Sequence, residues 1–452
     1  MKKALAIILM LAMVFSLVAC TTDNGGEQDP GTTQPNTGDT TNEGGSTEAT
    51  GSVYYLNFKP ESDAAWQALA EEYTAETGVE VKVVTAASGT YSETLTAEMD
   101  KSSMPTLFQC GNQAGLDTWG DYCYDLKDTA VYKEMTTDDF NLFGENGEVF
   151  CIGYCYESFG IIVNKALLAE AGYELADITN FESLKAVAED ITARKDELGF
   201  AAFSSAGLES SSSWRFSGHL ANMPLYYEFR DDGVTEQPAE IKGTYLDNFR
   251  NIWDLYITDS AADPTALSTA TGDQSEAEFG EGKAVFYQNG TWEYAALTAD
   301  KFNLNPDEIA MIPIYCGVDG EEKAGLCSGT ENCWAINSQA KEEDIQASLD
   351  FLYWLVTDPD ASAVLVEQLG AVPFKNCPAS ANKFIVDGNA LLADGKYAVT
   401  WAFNYTPNVD SWRATVVTAL AAYSADPTDA NWEAVKTAFV DGWAIEYKTV
   451  NG

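Results

Sequence analysis

Hydrophobic and polar positions change texture three times along this 452-residue chain. Residues 4–18 are apolar except for Ser16, residues 21–52 hold Ala49 as their only aliphatic side chain, and from Val53 onward short β-rich runs alternate with amphipathic ones. In that last region residues 53–58 read as a strand. Trp66, Leu69, Ala70 and Tyr73 then fall at i, i+3, i+4 and i+7, one face of a helix, behind Ser62 as a candidate cap and ahead of Gly78 as a stop. Residues 79–85 predict a second strand. The order returns with a strand over about 150–163, a helix over 165–171 halted by Gly172, and a helix over 181–195. From Leu349 onward helices dominate, including 349–356 and 432–446. Such alternation predicts an α/β fold with mostly parallel sheets covered by helices on both faces.

The apolar start is about 15 residues long, short of the roughly 20 that span a bilayer. With Lys2 and Lys3 before it and small residues closing it, it reads as an export signal that is cut off, residues 1–20. Its end, Leu17-Val18-Ala19-Cys20, resembles the lipobox of bacterial lipoproteins. That resemblance implies lipidation of Cys20 and work outside the cytoplasm, tethered to the outer face of the cell membrane. Residues 21–52 follow as an acidic linker, with Asp23, Glu27, Asp29, Asp39, Glu43 and Glu48 and neither Lys nor Arg. Such a segment buries too little surface to fold. As a coil it reaches about 30 Å root-mean-square.

What remains, roughly 430 residues, suits two or three domains, and 11 Trp, 22 Tyr and 21 Phe supply large cores. The formal charge of −45, from 25 Lys+Arg against 70 Asp+Glu, excludes nucleic-acid binding, which needs clustered basic residues. The single histidine, His219, receives no role. Phosphate-loop, dinucleotide, zinc-protease and serine-hydrolase motifs are absent from the sequence. No cofactor and no metal are expected, because no C-x-x-C or Cys/His cluster occurs along the chain. Cys151 and Cys155 on one strand would stand about 13 Å apart, too far for a disulfide, which tolerates about 7 Å. Most cysteines read as small buried apolar residues.

Six segments in order carry a family resemblance. They are YYLNFKPESDAAWQALAEEYTAETGVEV at 54–81, MPTLFQCGN at 104–112, GEVFCIGYCYESFGIIVNKALLAEAG at 147–172, EFGEGKAVFYQNGTW at 278–292, GTENCWAIN at 329–337, and LDFLYWLVTDPD with LGAVPF within 349–374. Together they resemble the extracellular solute-binding proteins of bacterial ABC sugar importers, family 1, the maltose-binding-like group. One departure stands out: many members read Gly-x-Pro-Tyr where this chain has Ile152-Gly153-Tyr154. The resemblance implies a two-lobed periplasmic-binding-protein-like fold, with an N-terminal lobe of 53–158 plus 330–370 and a C-terminal lobe of 159–329 plus 371–452. A hinge would be crossed three times, near Ser158, Gly329 and Gly370. It implies a non-enzymatic monomer that captures an oligosaccharide between the lobes and delivers it to ABC permease transmembrane subunits served by a cytoplasmic ATPase.

Sugars pack their C–H faces on aromatic rings and bind hydroxyls to directional polar groups, and a buried partner left unpaired costs about 1–3 kcal/mol. The family pattern implies Lys59 and Glu61 after the first strand, then Gln109, Asn112 and Gln113. Glu157 falls at the first crossing, Trp214 and Arg215 in a Ser-rich loop, and Trp292 in an Asn-Gly-Thr-Trp turn. Glu331 and Asn332 fall at the second crossing, with Trp401 and Asn404 in a late loop. Trp66, Trp253, Trp354 and Trp443 sit at helical spacing among aliphatics and read as core. Trp214 and Trp292 lie in turn-rich sequence where packing explains them less well. Trp119 falls on a predicted helix with Tyr122 and Leu126, where core and site readings are about even, and Lys59 reads equally as a solvated surface charge. Two other functions stay open: an extracytoplasmic glycoside-degrading enzyme working through two carboxylates, and a sugar sensor subunit for a membrane receptor.

Overall fold

The computed structural model describes residues 51–205 and 207–452; the leader, Cys20 and the linker up to residue 50 lie outside the described residues. Twelve strands form two six-stranded sheets. They are β1 Ser52–Asn57, β2 Glu80–Thr85, β3 Leu107–Gln109, β4 Leu142–Phe143, β5 Val149–Gly153, β6 Glu157–Asn164, β7 Ala201–Phe203, β8 Ala284–Gly290, β9 Ile309–Ile312, β10 Ala324–Gly329, β11 Cys333–Ile336 and β12 Tyr397–Thr400. The first sheet runs β2-β1-β3-β11-β5-β4, and the second runs β12-β10-β6-β8-β7 with β9 also pairing β6.

The first unit follows its sequence pattern closely. β1 is a buried run of Val53, Tyr54, Tyr55 and Leu56 and pairs in parallel with β2, Tyr55 opposite Val83. Between them the helix Asp63–Thr77 buries Trp66, Leu69, Ala70 and Tyr73 and stops at Gly78, whose φ of +76° suits glycine. Ser62 holds the N-cap position, but its hydroxyl makes no capping bond. Both faces of each sheet are covered. Trp66, Tyr73, Phe351 and Leu355 fill one face of the first sheet, and Leu95, Met99 and Leu116 fill the other. The second sheet packs Trp253, Trp412, Trp432 and Trp443 on one side and Phe279, Leu297 and Phe384 on the other. Of the tryptophans expected in the core, Trp66, Trp253 and Trp443 are fully buried. Trp354 is partly buried against Phe351 and donates to Glu76 at 3.1 Å.

Two expectations need correction. The sheets are mixed rather than mostly parallel: β1–β2, β1–β3, β10–β12 and β7–β8 are parallel, and the other six pairings are antiparallel. A helical crossover is what imposes parallel pairing, and strands that enter a sheet directly from the other sheet lack one. The single strand expected over 150–163 is two strands in different sheets, because the chain leaves the first sheet after Gly153 and joins the second at Glu157. It returns between Gly329 and Cys333, and passes again between the helices Pro359–Leu369 and Lys383–Ala393. These passages lie side by side. Thr330 Oγ1 donates to Cys155 O at 2.6 Å, Tyr154 N to Asn332 O at 3.0 Å, and Tyr156 N to Ala371 O at 2.9 Å.

Candidate functional site

A cleft of about 770 Å³ lies where strands of both sheets end. Carboxyl ends of strands converge on it: β1 delivers Phe58–Glu61, β3 delivers Gln109–Asn112, β8 delivers Trp292 and Glu293, and β12 delivers Trp401. Open α/β sheets place ligands at this edge, because loops there are free to vary over a rigid frame.

At its floor stands a charged cluster. Lys59 is only 3% exposed, so the surface-charge reading is wrong. Its Nζ lies 2.7 Å from Glu157 Oε1 and 2.9 Å from Glu61 Oε1. Burial alone would drive off the proton of Lys59, but the facing carboxylates of Glu157 and Glu61 outweigh it and hold the ammonium above its usual range. Glu157 Oε2 accepts from Asn332 Nδ2 at 2.8 Å. One carboxylate thus spans the first and second passages between the sheets, while the exposed Glu61 reaches toward the open cleft.

An aromatic wall faces the cluster. The rings of Trp214 and Trp292 lie 5.9 Å apart, with His219 at 5.0 and 5.5 Å from them. Trp214 Nε1 donates to Ser211 O at 2.9 Å, which fixes its plane. Trp292 is admitted by a glycine: a Cβ on Gly290 would stand 2.2 Å from the indole. Gly329 does the same for Trp401, whose ring would meet a Cβ at 2.5 Å and whose Nε1 donates to Cys327 O at 3.1 Å. Lys59 Nζ sits 5.9 Å from the Trp292 ring, so the cation and the stacking face belong to one site.

Of the remaining expected residues, Arg215 and Gln109 line the cleft but are committed inward. Arg215 donates to Gln288 O and Ser275 Oγ, both at 3.1 Å. Gln109 accepts from Phe58 N at 2.6 Å and donates to Tyr154 Oη. Tyr154, beside the missing proline, is buried against Trp334 at 4.1 Å and braces Gln109 from beneath. Asn112 lines the cleft and caps the helix Gln113–Trp119, accepting from Gly115 N at 2.9 Å. Glu331 lines it too, 3.9 Å from Arg413, and burial raises its carboxyl. Three expected residues do not line the cleft. Gln113 is exposed and bonds Asp117 at 3.0 Å, because the helix turns its side chain outward. Asn332 is fully buried, its amide donating to Glu157 Oε2 and accepting from Tyr154 Oη at 3.4 Å. Asn404 donates to Thr330 O at 3.1 Å, fastening its loop to the second passage.

Other lining residues were missed or given no role. Trp119 and His219 both line the cleft. His219 is stacked on Phe159 at 3.9 Å and is held neutral by burial and by the positive charges of Arg413 and Arg215. Glu293 follows Trp292 directly and accepts from Asn289 Nδ2 at 2.8 Å. Burial and the nearby Glu276 push its carboxyl up to about 8. Its place beside Trp292 in the turn was the available signal. Arg413 had none, since it arrives from a helix far along the chain. All eight cysteines among the described residues are free. Although no spacing motif announces it, the sulfurs of Cys110, Cys123 and Cys151 lie within 4.8 Å of one another.

Two mixed sheets with a polar and aromatic cleft between strand ends define a solute-capturing class of protein. The chain belongs to the bacterial extracellular solute-binding proteins, whose family profile matches residues 68–392. No curated protein shows a significant sequence match. Several solved structures share the fold. RafE in complex with raffinose, a protein also solved in apo form from Streptococcus pneumoniae, is 16% identical with a TM-score of 0.71, over 88% of this chain and 100% of that one. A chitin oligosaccharide binding protein is 16% identical with a TM-score of 0.69, over 89% of this chain and 100% of that one. A sugar transporter from Bacillus licheniformis in complex with stachyose is 17% identical with a TM-score of 0.66, over 87% and 100%. Among the described residues, no helix is long and apolar enough to cross a membrane.

Proposed function

We propose that this chain is the sugar-capturing component of an ABC importer, held at the outer cell surface by a lipid on Cys20 and binding an oligosaccharide. The observation that carries this reading is the opposition, within one cleft of about 770 Å³, of indole faces on Trp214 and Trp292 to the Lys59–Glu61–Glu157 cluster. The volume falls within the roughly 300–1,000 Å³ of small-molecule sites. Oligosaccharides named with the similar structures, raffinose and stachyose, point to the same ligand class.

In this reading the two sheets are the cores of two lobes, and the three adjacent passages form the hinge. A ligand that touches both lobes favours the closed form by its extra contacts there. The permease recognises that closed form, and the ATPase on the other side of the membrane supplies the energy. The acidic linker keeps the binder near its partner.

The test is a thermal-shift and calorimetric panel of oligosaccharides with the full chain. A ligand at about 100 times its Kd stabilises a folded protein by ~2.7 kcal/mol, and a true ligand is recovered intact after incubation. Shortened products would mean a glycoside-degrading enzyme instead. A panel without any shift would remove the sugar assignment.

A further inference from the structure

The strands that build the cleft also gather sulfur that solute capture does not use. Cys110 follows β3, Cys123 follows the helical turn Gly120–Tyr122, and Cys151 lies in β5. Their Sγ atoms lie within 4.8 Å of one another, and all three residues are buried. They share an apolar pocket with Leu56, Leu95 and Leu116. No histidine or carboxylate belongs to the group.

A disulfide suits the strand pair poorly. β11 runs between β3 and β5, so Cys110 and Cys151 stand two strand spacings apart, about 9–10 Å at Cα. Disulfides need less than about 7 Å. An ion bridges sulfurs at longer range. With metal–sulfur bonds of about 2.3 Å, three sulfurs around one ion stand about 4 Å apart, within about 1 Å of the present separation. The small Ala335 of β11, in the same apolar cluster, leaves room for the side chains to lean together.

We propose that Cys110, Cys123 and Cys151 form a binding site for a soft, thiophilic cation, with monovalent copper the best fit. Soft thiolates select such ions, whereas calcium and magnesium need oxygen ligands. Structural zinc takes four ligands almost without exception; a fourth cysteine, Cys333, shares the apolar cluster, but its thiol is turned to Phe140 O at 3.4 Å, so three sulfurs converge. Monovalent copper is satisfied by three. Binding exchanges thiol protons, released to solvent, for the ion; no bond is oxidised or reduced. Cys110 itself lines the solute cleft, which gives the ion a way in.

The test uses the full chain, reduced and anaerobic, titrated with monovalent copper against a chromophoric copper chelator. One copper per chain should be retained, with thiolate-to-copper absorption in the ultraviolet and three sulfur neighbours by X-ray absorption. C110S, C123S and C151S should each weaken retention by more than about tenfold, since even outer-shell changes cost metal sites that much. C20S, C316S and C377S should not. The X-ray absorption reading on unaltered protein stands even where a serine variant fails to fold. Loss of all copper to the chelator, fewer than three sulfur neighbours, or equal retention by C123S would overturn the proposal.

Discussion

Replacing Lys59 by methionine isolates the buried charge cluster. Lys59 and Glu157 are 3% and 5% exposed, and their charges meet at 2.7 Å. Methionine keeps the bulk and removes the ammonium, leaving Glu157 with Asn332 Nδ2 at 2.8 Å as its remaining polar contact of this cluster. Removing one partner of a buried pair costs about 3–5 kcal/mol, because the other charge stays desolvated. At about 2.1 cal/mol/K per residue over the roughly 200 residues built on one sheet, the melting temperature should fall by roughly 7–12 °C. Glu157→Gln alone should cost less, since Lys59 keeps Glu61 at 2.9 Å. The double variant should recover part of the Lys59→Met loss, with a coupling of about 1–3 kcal/mol. Calorimetry of the four proteins without ligand at pH 7 measures this. A Lys59→Met shift under about 2 °C, or strictly additive losses, would refute the claim that a desolvated ion pair holds the cleft floor.

Trp292→Ala should weaken the best oligosaccharide at least about tenfold, or ~1.4 kcal/mol, without unfolding the protein; unchanged calorimetric affinity would remove Trp292 from the site. Gly290→Ala should displace the same indole, 2.2 Å from the new methyl, and so lower affinity while shifting tryptophan fluorescence. Glu293 titrates near 8 when folded against about 4.5 for an unperturbed carboxyl. The unfolded chain therefore ionises first, and stability should decline as pH rises from about 5 to 8, by at most ~1.4 kcal/mol per pH unit. Glu293→Gln should match the wild type at pH 5 and be the more stable at pH 8, read from melting curves; parallel curves would dismiss the shift. Gln113→Ala should leave ligand affinity unchanged, because that side chain lies outside the cleft.

Local pattern carried the elements whose causes are local. The stripe Trp66, Leu69, Ala70 and Tyr73 and the stop at Gly78 required only helical periodicity and a left-handed cap, and both are present. Position in the family pattern brought Lys59, Glu157, Trp214, Trp292, Glu331 and Trp401 to one cleft. It went astray where a side chain's direction depends on packing. Asn332 and Asn404 adjoin lining residues in sequence, yet their amides are drawn to Glu157 and to the Thr330 carbonyl. Lys59 looked free to be solvated, because its carboxylate partner Glu157 is 98 residues away.

The residues by themselves determined an α/β body rich in aromatic cores, and they predict an export leader and an acidic linker ahead of it. Those properties depend on periodicity and composition, which act over a few residues at a time. Tertiary structure decided which strands share a sheet, and so turned one apolar run into two strands of different sheets at Tyr154–Tyr156. It also decided that a lysine is buried between carboxylates and that Cys110, Cys123 and Cys151 meet. Charge pairing and sulfur clustering depend on through-space distance. Only the folded packing of segments far apart in the chain sets that distance.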